Sequence, residues 1–384
     1  MATLPPLRQM ISALIGTPSV SSVVPAHDTG NRAVIELLAT WLDDLGFEIE
    51  LQPLPGRDDK LNLIARRGGT APDGLVLAGH TDTVPCDPAL WRHDPFRLHE
   101  QDDRFYGLGS ADMKGFLGIV VDTLRGQDLA ALRRPLTVLA TADEESGMHG
   151  AHALLERGQV LGAHGLIGEP TGLRPVHRHK GIFMESVRVI GRSGHSSDPA
   201  LGRNALEGLH RVLGALLALR AELEHRYRDP AFTPPTPTLN LGHVHGGDNA
   251  NRICGQCELH LDLRPLPGMD IGELRDLLRA RARAALEGME LRCEFEALYA
   301  GLPPLDTPQD AHIVRLAEQL SGAPSEAVSF GTEAPYFNQL GTQTVVCGPG
   351  HIAQAHQPDE YLPLAEIAPT QRMLAGLIDA LCRA

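Results

Sequence analysis

The sequence predicts an α/β protein in which an open-sheet layer domain is interrupted by a self-contained β-α-β-β-α-β insert. Two observations carry this reading. Up to about residue 178, apolar runs alternate with helical patterns, as in a layered α/β fold. From about Gly181 the rhythm changes to strand, long helix, two strands, helix and strand, the order of a ferredoxin-like sandwich. The length of 384 residues favours two cores over one.

In the first part, Ala33-Val34-Ile35-Glu36-Leu37-Leu38 opens an amphipathic helix ending near Gly46. Leu61 to Ala65, Leu75 to Ala78 and Leu136 to Ala140 read as buried strands, with a helix from Lys114 to Leu124 between the last two. In the insert, Ile182 to Gly191 reads as a strand and Asn204 to Tyr227 as a helix with Leu206, Leu209, Leu213, Leu216 and Leu217 on one face. Thr238 to Val244 and Cys257 to Arg264 are strands, and Pro234-Pro235-Thr236-Pro237 is a loop within the insert. Asp270 with Glu273 forms a capping box for a helix through Ala285. Leu291 to Leu298 closes as a strand. These elements place the insert at about 181–293 and the interrupted domain at 1–180 and 294–384. No internal repeat is visible.

Composition narrows the function. Hydrophobic content of 42% with 21% charged residues is that of a globular protein. A formal net charge of −14 disfavours nucleic acid and anionic membranes as partners and suits a cation-binding enzyme. Met1 to Met10 has no apolar stretch of a signal peptide, and Arg211 and Arg220 break the longest apolar helix, so no membrane span is expected. Six dispersed cysteines point to free thiols and the cytoplasm. Cys254-Gly-Gln-Cys257 has no second pair at zinc-ribbon spacing, and Cys257 continues an alternating strand, so both read as core.

Five residues at strand ends or in Gly/Pro turns are placed to build one two-metal site: His80, Asp112, Glu145, Glu169 and His356. In Leu75-Val76-Leu77-Ala78-Gly79-His80-Thr81-Asp82, extended backbone projects His80 and Asp82 to the same side. A histidine ligand with a carboxylate beside it is a common pairing around zinc. Asp112 lies in a glycine-rich turn running into a helix; its carboxylate could bridge two cations or cap the helix. Asp143-Glu144-Glu145 crowds three acids at a strand end, where cations or solvent are needed to offset repulsion. One of the two glutamates can ligate while the other stays free as a base. Glu169 closes the strand end Leu166-Ile167, and the C-terminal stretch offers both His351 and His356. The set as a whole points to a metallohydrolase.

These residues fall into motifs: Gly79-His80-Thr81-Asp82-Thr83-Val84-Pro85, Gly109 to Gly115 with Asp112-Met113-Lys114-Gly115, Asp143-Glu144-Glu145 and Gly168-Glu169-Pro170-Thr171. With them stand His179-Lys180-Gly181, Gly194-His195-Ser196-Ser197-Asp198-Pro199, Asn251-Arg252-Ile253-Cys254, Thr332-Glu333-Ala334-Pro335 and Gln354 to Tyr361. Together they make the chain similar, from Thr17 to Tyr361, to the dinuclear-zinc aminoacylase and carboxypeptidase family. The resemblance implies a metallopeptidase-like catalytic domain with a mixed sheet and an insert that serves as lid and dimerisation domain. It implies two zinc ions per subunit bridged by Asp112, with His80 and Glu169 on one and Glu145 and His356 on the other. Cobalt is expected to support activity as well. Asp82 would orient His80, Glu144 would be the general base, and the Asp112–Met113 peptide bond would be cis. His195 would stabilise the oxyanion in the partner subunit's site. Asn251 and Arg264 would hold a substrate carboxylate, Gly331 and Thr332 would lie on a substrate loop, and Glu333 is a candidate partner for a cationic side chain. The implied substrate is a small N-acyl amino acid. A sister activity within the family and a non-catalytic metal-binding homologue are the alternatives.

Overall fold

The computed structural model describes residues 4–383, so the first three residues of the Met1–Met10 stretch lie outside them. Contacts divide the chain into two compact units: Met1–His177 with Thr307–Glu326 and Thr332–Ala384, and Arg178–Asp306 with Ala327–Gly331.

The first unit is built on a mixed sheet. Glu48–Leu54 pairs antiparallel with Arg57–Arg67, which pairs antiparallel with Leu136–Thr141. Leu75–His80 then runs parallel to Leu136–Thr141 and to His164–Pro170, and Gln343–Gly348 runs parallel to His164–Pro170. The central strands are buried along their whole length, LVLAGH and LTVLAT without an exposed position, so they read as continuous apolar runs and not as alternation. Because four strands are parallel, their carboxyl ends share one edge, where open α/β sheets place their ligands. Around the sheet lie the helices Leu7–Ile15, Arg32–Asp44, Lys114–Arg125, His149–Glu156, His312–Ser321 and Ile367–Ile378.

The second unit has a four-stranded antiparallel sheet in the order Thr238–Gly246, Gln256–Arg264, Ile182–Ile190, Arg292–Leu302. Phe183, Val187 and Val189 point from the central strand to one face, as a period of two requires. They share a core with Leu209, Val212, Leu216 and Leu219 of the helix Ala205–Arg226 and Leu274 and Leu278 of the helix Ile271–Ala284. The capping signal is realised: Asp270 accepts the Glu273 backbone N–H at 2.9 Å. The last strand passes the expected ends at 293 and 298. It continues with two register shifts until Leu302 faces Ile182. Gly301, at φ 124°, takes up this irregularity with a backbone angle that side chains disfavour; in sequence it resembles a stop. No helix among the described residues is long and apolar enough to cross a membrane.

Candidate metal centre

Two of the parallel strands of the first unit carry a chemistry-bearing residue at their carboxyl end, His80 in Leu75–His80 and Glu169 in His164–Pro170. His80 terminates Leu75–His80, and its ring is 1% exposed. Nδ1 lies 3.0 Å from the Asp82 carbonyl oxygen. A carbonyl only accepts, so Nδ1–H is the donor and Nε2 is left to ligate. That Nε2 lies 3.0 Å from Asp112 Oδ1 and 3.7 Å from Glu169. Burial alone would lower the His80 pKa, but Glu169, Asp112 and Glu144 hold it well above its ordinary value.

Asp112 is not the cap of the following helix. The cap position is Met113, with no side-chain capping bond, and the Asp112–Met113 peptide bond is cis. From the far side, His356 Nε2 lies 2.9 Å from Glu145 Oε2 and 3.5 Å from Asp112 Oδ2. His80 and His356 thus flank Asp112, one on each carboxylate oxygen. His351 is turned away and pairs with Glu366 at 3.1 Å, which separates the two C-terminal histidines. Among the described residues, His80, Asp112 and Glu145 offer ligand atoms within 4.8 Å of one another.

This donor set fits divalent cations. Burial, then Asp112, raises the Glu145 carboxyl pKa, and burial with neighbouring carboxylates pushes Glu144 and Glu169 well above the usual range. Carboxylates that destabilise one another's charge are stabilised together by metal cations. Oxygen and imidazole donors suit first-row divalent metals.

Asp82 does more than stand beside His80. Its carboxylate is 3.8 Å from the ring and accepts the backbone N–H groups of Glu144 and Glu145 at 3.2 and 3.1 Å. It therefore fixes the acidic loop as well as the histidine. Asp143, the first acid of the triplet, belongs to neither metal nor solvent. Lys60 bonds it, Ser21 Oγ donates to it at 2.9 Å, and Lys60 also bonds Asp28 at 2.7 Å. Although burial opposes its charge, bonds from His149 and Lys60 bring its pKa down to about 2. Lys60 was not legible as a site residue; its only signal is a lysine immediately before the apolar run Leu61-Asn62-Leu63-Ile64-Ala65. Glu333 is 1% exposed; Thr141 Oγ1 donates to its Oε2 at 2.8 Å, while Oε1 is buried without a partner. Thr332 is likewise buried.

The remaining expected residues lie in the second unit, at two separate places. His195 pairs in a short ladder with Arg252, and the Asn251 carbonyl accepts the Ser196 N–H at 3.1 Å. The Ser197 N–H donates to His195 Nδ1 at 3.2 Å, with Ser197 Oγ 2.7 Å from the same nitrogen, so Nδ1 serves as acceptor and Nε2 is the ring's donor atom. The 3-10 turn that follows is capped by Asp198. Arg264 ends the neighbouring strand, pairs with Asp262 at 3.1 Å and donates to the Ser329 carbonyl at 3.3 Å. Gly331 packs against Leu302 and Ile182.

A mixed-sheet α/β unit that brings together two histidines and three carboxylates from strand ends and adjoining loops is that of a metal-dependent hydrolase. The chain belongs to the peptidase family M20/M25/M40, whose family model matches residues 76–380. It is 49% identical over 380 residues to an acetylornithine deacetylase of Edwardsiella ictaluri (strain 93-146), covering 99% of both chains. Its fold is that of an M20 family metallo-carboxypeptidase from Sulfolobus solfataricus, with a TM-score of 0.78, 18% identity and coverage of 98% and 99%. It is also that of a dinuclear metal binding peptidase of the M20 family from Bacillus subtilis, with a TM-score of 0.69, 15% identity and coverage of 98% and 97%.

Proposed function

We propose that the chain is a two-metal amidohydrolase that removes the acetyl group from N2-acetyl-L-ornithine, releasing L-ornithine and acetate in arginine biosynthesis. The convergence of His80, Glu169, Asp112, Glu145 and His356 carries the chemistry; the 49% identical deacetylase carries the substrate. Asp112, His80 and Glu169 would hold one zinc ion, and Asp112, Glu145 and His356 the other. Cobalt also supports activity, since the donors do not exclude it. The metals supply an activated water and a polarised acyl carbonyl. Glu144 takes the proton of the attacking water and passes it to the leaving amine nitrogen. His195 donates from Nε2 to the oxygen that gains charge.

Arg264 holds the substrate carboxylate through its planar fork, with Asn251 as a second donor and Gly331 and Thr332 on the loop beside the substrate. The burial of Glu333 limits it to an electrostatic pull on the ornithine ammonium. The insert's own geometry favours a shared site. His195 and Asn251 lie at the end of the sheet where Gln256 faces Ile190, and Arg264 lies at the end where Leu263 faces Phe183. Eight residues of extended strand separate those ends by roughly 25 Å, more than an acetylated amino acid spans. This supports a reading in which a substrate held by Arg264 meets His195 and Asn251 of a second copy, with the insert as the dimerisation domain and its closure part of catalysis. The free thiols of all six cysteines fit the cytoplasm.

Turnover of N-acetylornithine, N-succinyl-diaminopimelate and N-acetylmethionine tests the substrate. We expect kcat/KM for N-acetylornithine to exceed the others by about a hundredfold or more. A preference for the succinyl compound or the neutral amino acid would instead assign a desuccinylase or a general aminoacylase, preferred hydrolysis of a glutamate-terminated substrate a glutamate carboxypeptidase, and no turnover a non-catalytic homologue. Metal analysis is expected to find two ions per subunit, with activity lost on chelation and restored by zinc or cobalt. Full activity with one ion would refute the bridged pair.

A further inference from the structure

The loops that carry Asp112 and His356 are far apart in sequence, yet one buried side chain ties them together. Glu360 is 1% exposed. Its Oε1 accepts the backbone N–H groups of Ala111 and Asp112 at 2.8 and 2.9 Å, and its Oε2 accepts that of Gly109 at 3.2 Å. Its own backbone carbonyl accepts the Gly107 N–H at 3.0 Å. Immediately afterwards Tyr361–Pro363 pairs with Arg104–Tyr106. Its neighbour Asp359 turns outward and binds Arg92. Of the acidic pair that follows His356, one member is a surface ion pair and the other grips the loop of a second ligand.

The same device occurs at the other histidine. Two residues after His80, Asp82 accepts the N–H groups of Glu144 and Glu145. Each histidine segment thus contributes a carboxylate that holds, through backbone N–H groups, a loop bearing acidic ligands. Both Glu360 oxygens are taken up by backbone donors, so its work is geometric.

We infer that Glu360 is a positioning residue that locks the Asp112 loop to the His356 segment, so that the two ligands are presented to the metals as one unit. His80 and Glu169 need no such clamp, because both stand on strands of the central sheet. The loss of Glu360 therefore falls on the ion held by His356 and Glu145 more than on the ion held by His80 and Glu169. The inference rests on the two-metal reading of the site.

The test is calorimetric titration of the metal-free full-length protein with zinc, in wild type, Glu360→Gln, Glu360→Asp and the neighbouring control Asp359→Asn. In Glu360→Gln the amide NH2 faces backbone N–H donors and leaves them unsatisfied. One of the two zinc affinities should fall by about 10–100-fold, as for other residues that orient ligands without touching the metal. The other shares Asp112 but keeps His80 and Glu169 on strands of the central sheet, so it should fall by clearly less. Glu360→Asp, which keeps the charge on a shorter arm, should be intermediate, and Asp359→Asn should match wild type. If Glu360→Gln does not fold, the one-sided loss is read in Glu360→Asp. Unchanged affinities overturn the inference. So does an equal loss at both sites, or unfolding of the metal-free protein in both Glu360 variants, since either assigns Glu360 to general stability. A wild-type protein that takes up a single zinc sinks the two-metal reading beneath it, an outcome separate from two zinc ions bound unaltered in the variants.

Discussion

Replacing Glu144 with alanine should leave both metals in place and lower kcat by about 10³–10⁴-fold, the scale of a lost general acid–base group. Its neighbour should behave in the opposite way. Glu145 faces His356 at 2.9 Å and shares that histidine with Asp112, so Glu145→Ala removes a ligand and should release one metal ion per subunit. Both backbones are held by Asp82, so neither substitution should displace the loop and each variant reports its own side chain. The measurement is metal content beside single-turnover kinetics. If Glu144→Ala loses metal while Glu145→Ala keeps it, the adjacent pair has been assigned the wrong way round.

Inactive subunits should rescue each other. Glu144→Ala and His195→Ala are each expected to be inactive as homodimers. In a mixed dimer with shared sites, one site lacks both groups and the other has both. Activity should reappear on subunit exchange, to about half of wild type per heterodimer if the sites act independently. Random pairing of equal amounts then gives about a quarter overall by the same independence. If His195 serves its own subunit, every mixed site keeps one defect. A mixture that demonstrably exchanges subunits and stays inactive would remove the shared-site proposal, and with it the reading of the separated His195 and Arg264 positions.

Much of this molecule is legible in its sequence alone. Leu75-Val76-Leu77-Ala78 and Leu136 to Ala140 are apolar because strands covered on both faces admit little else, and their ends advertise His80 and Glu145. The second unit's elements followed from periodicity and from the Asp270 cap. Its far edge did not, since register shifts and Gly301 carry the last strand on to Leu302 where a glycine suggests a turn. His351 pairs with Glu366 while His356 faces Glu145, a difference that no local pattern in the sequence displays. The structural roles of Lys60 and Glu360 are not visible in the sequence, where each looks like an ordinary surface charge.

The sequence by itself determined which residues are chemically able to form the centre, because strand periodicity and turn composition are local properties that place each side chain at a strand end or in a turn. Tertiary structure alone decided which of those groups meet and what holds them. The meeting of Asp112 with His356, and the grips of Asp82 and Glu360 on distant backbone N–H groups, depend on parallel strand order and on loops closed over as many as 251 residues of chain. Such contacts leave no periodicity in the sequence; they exist only once the sheet has brought the strand ends to one edge.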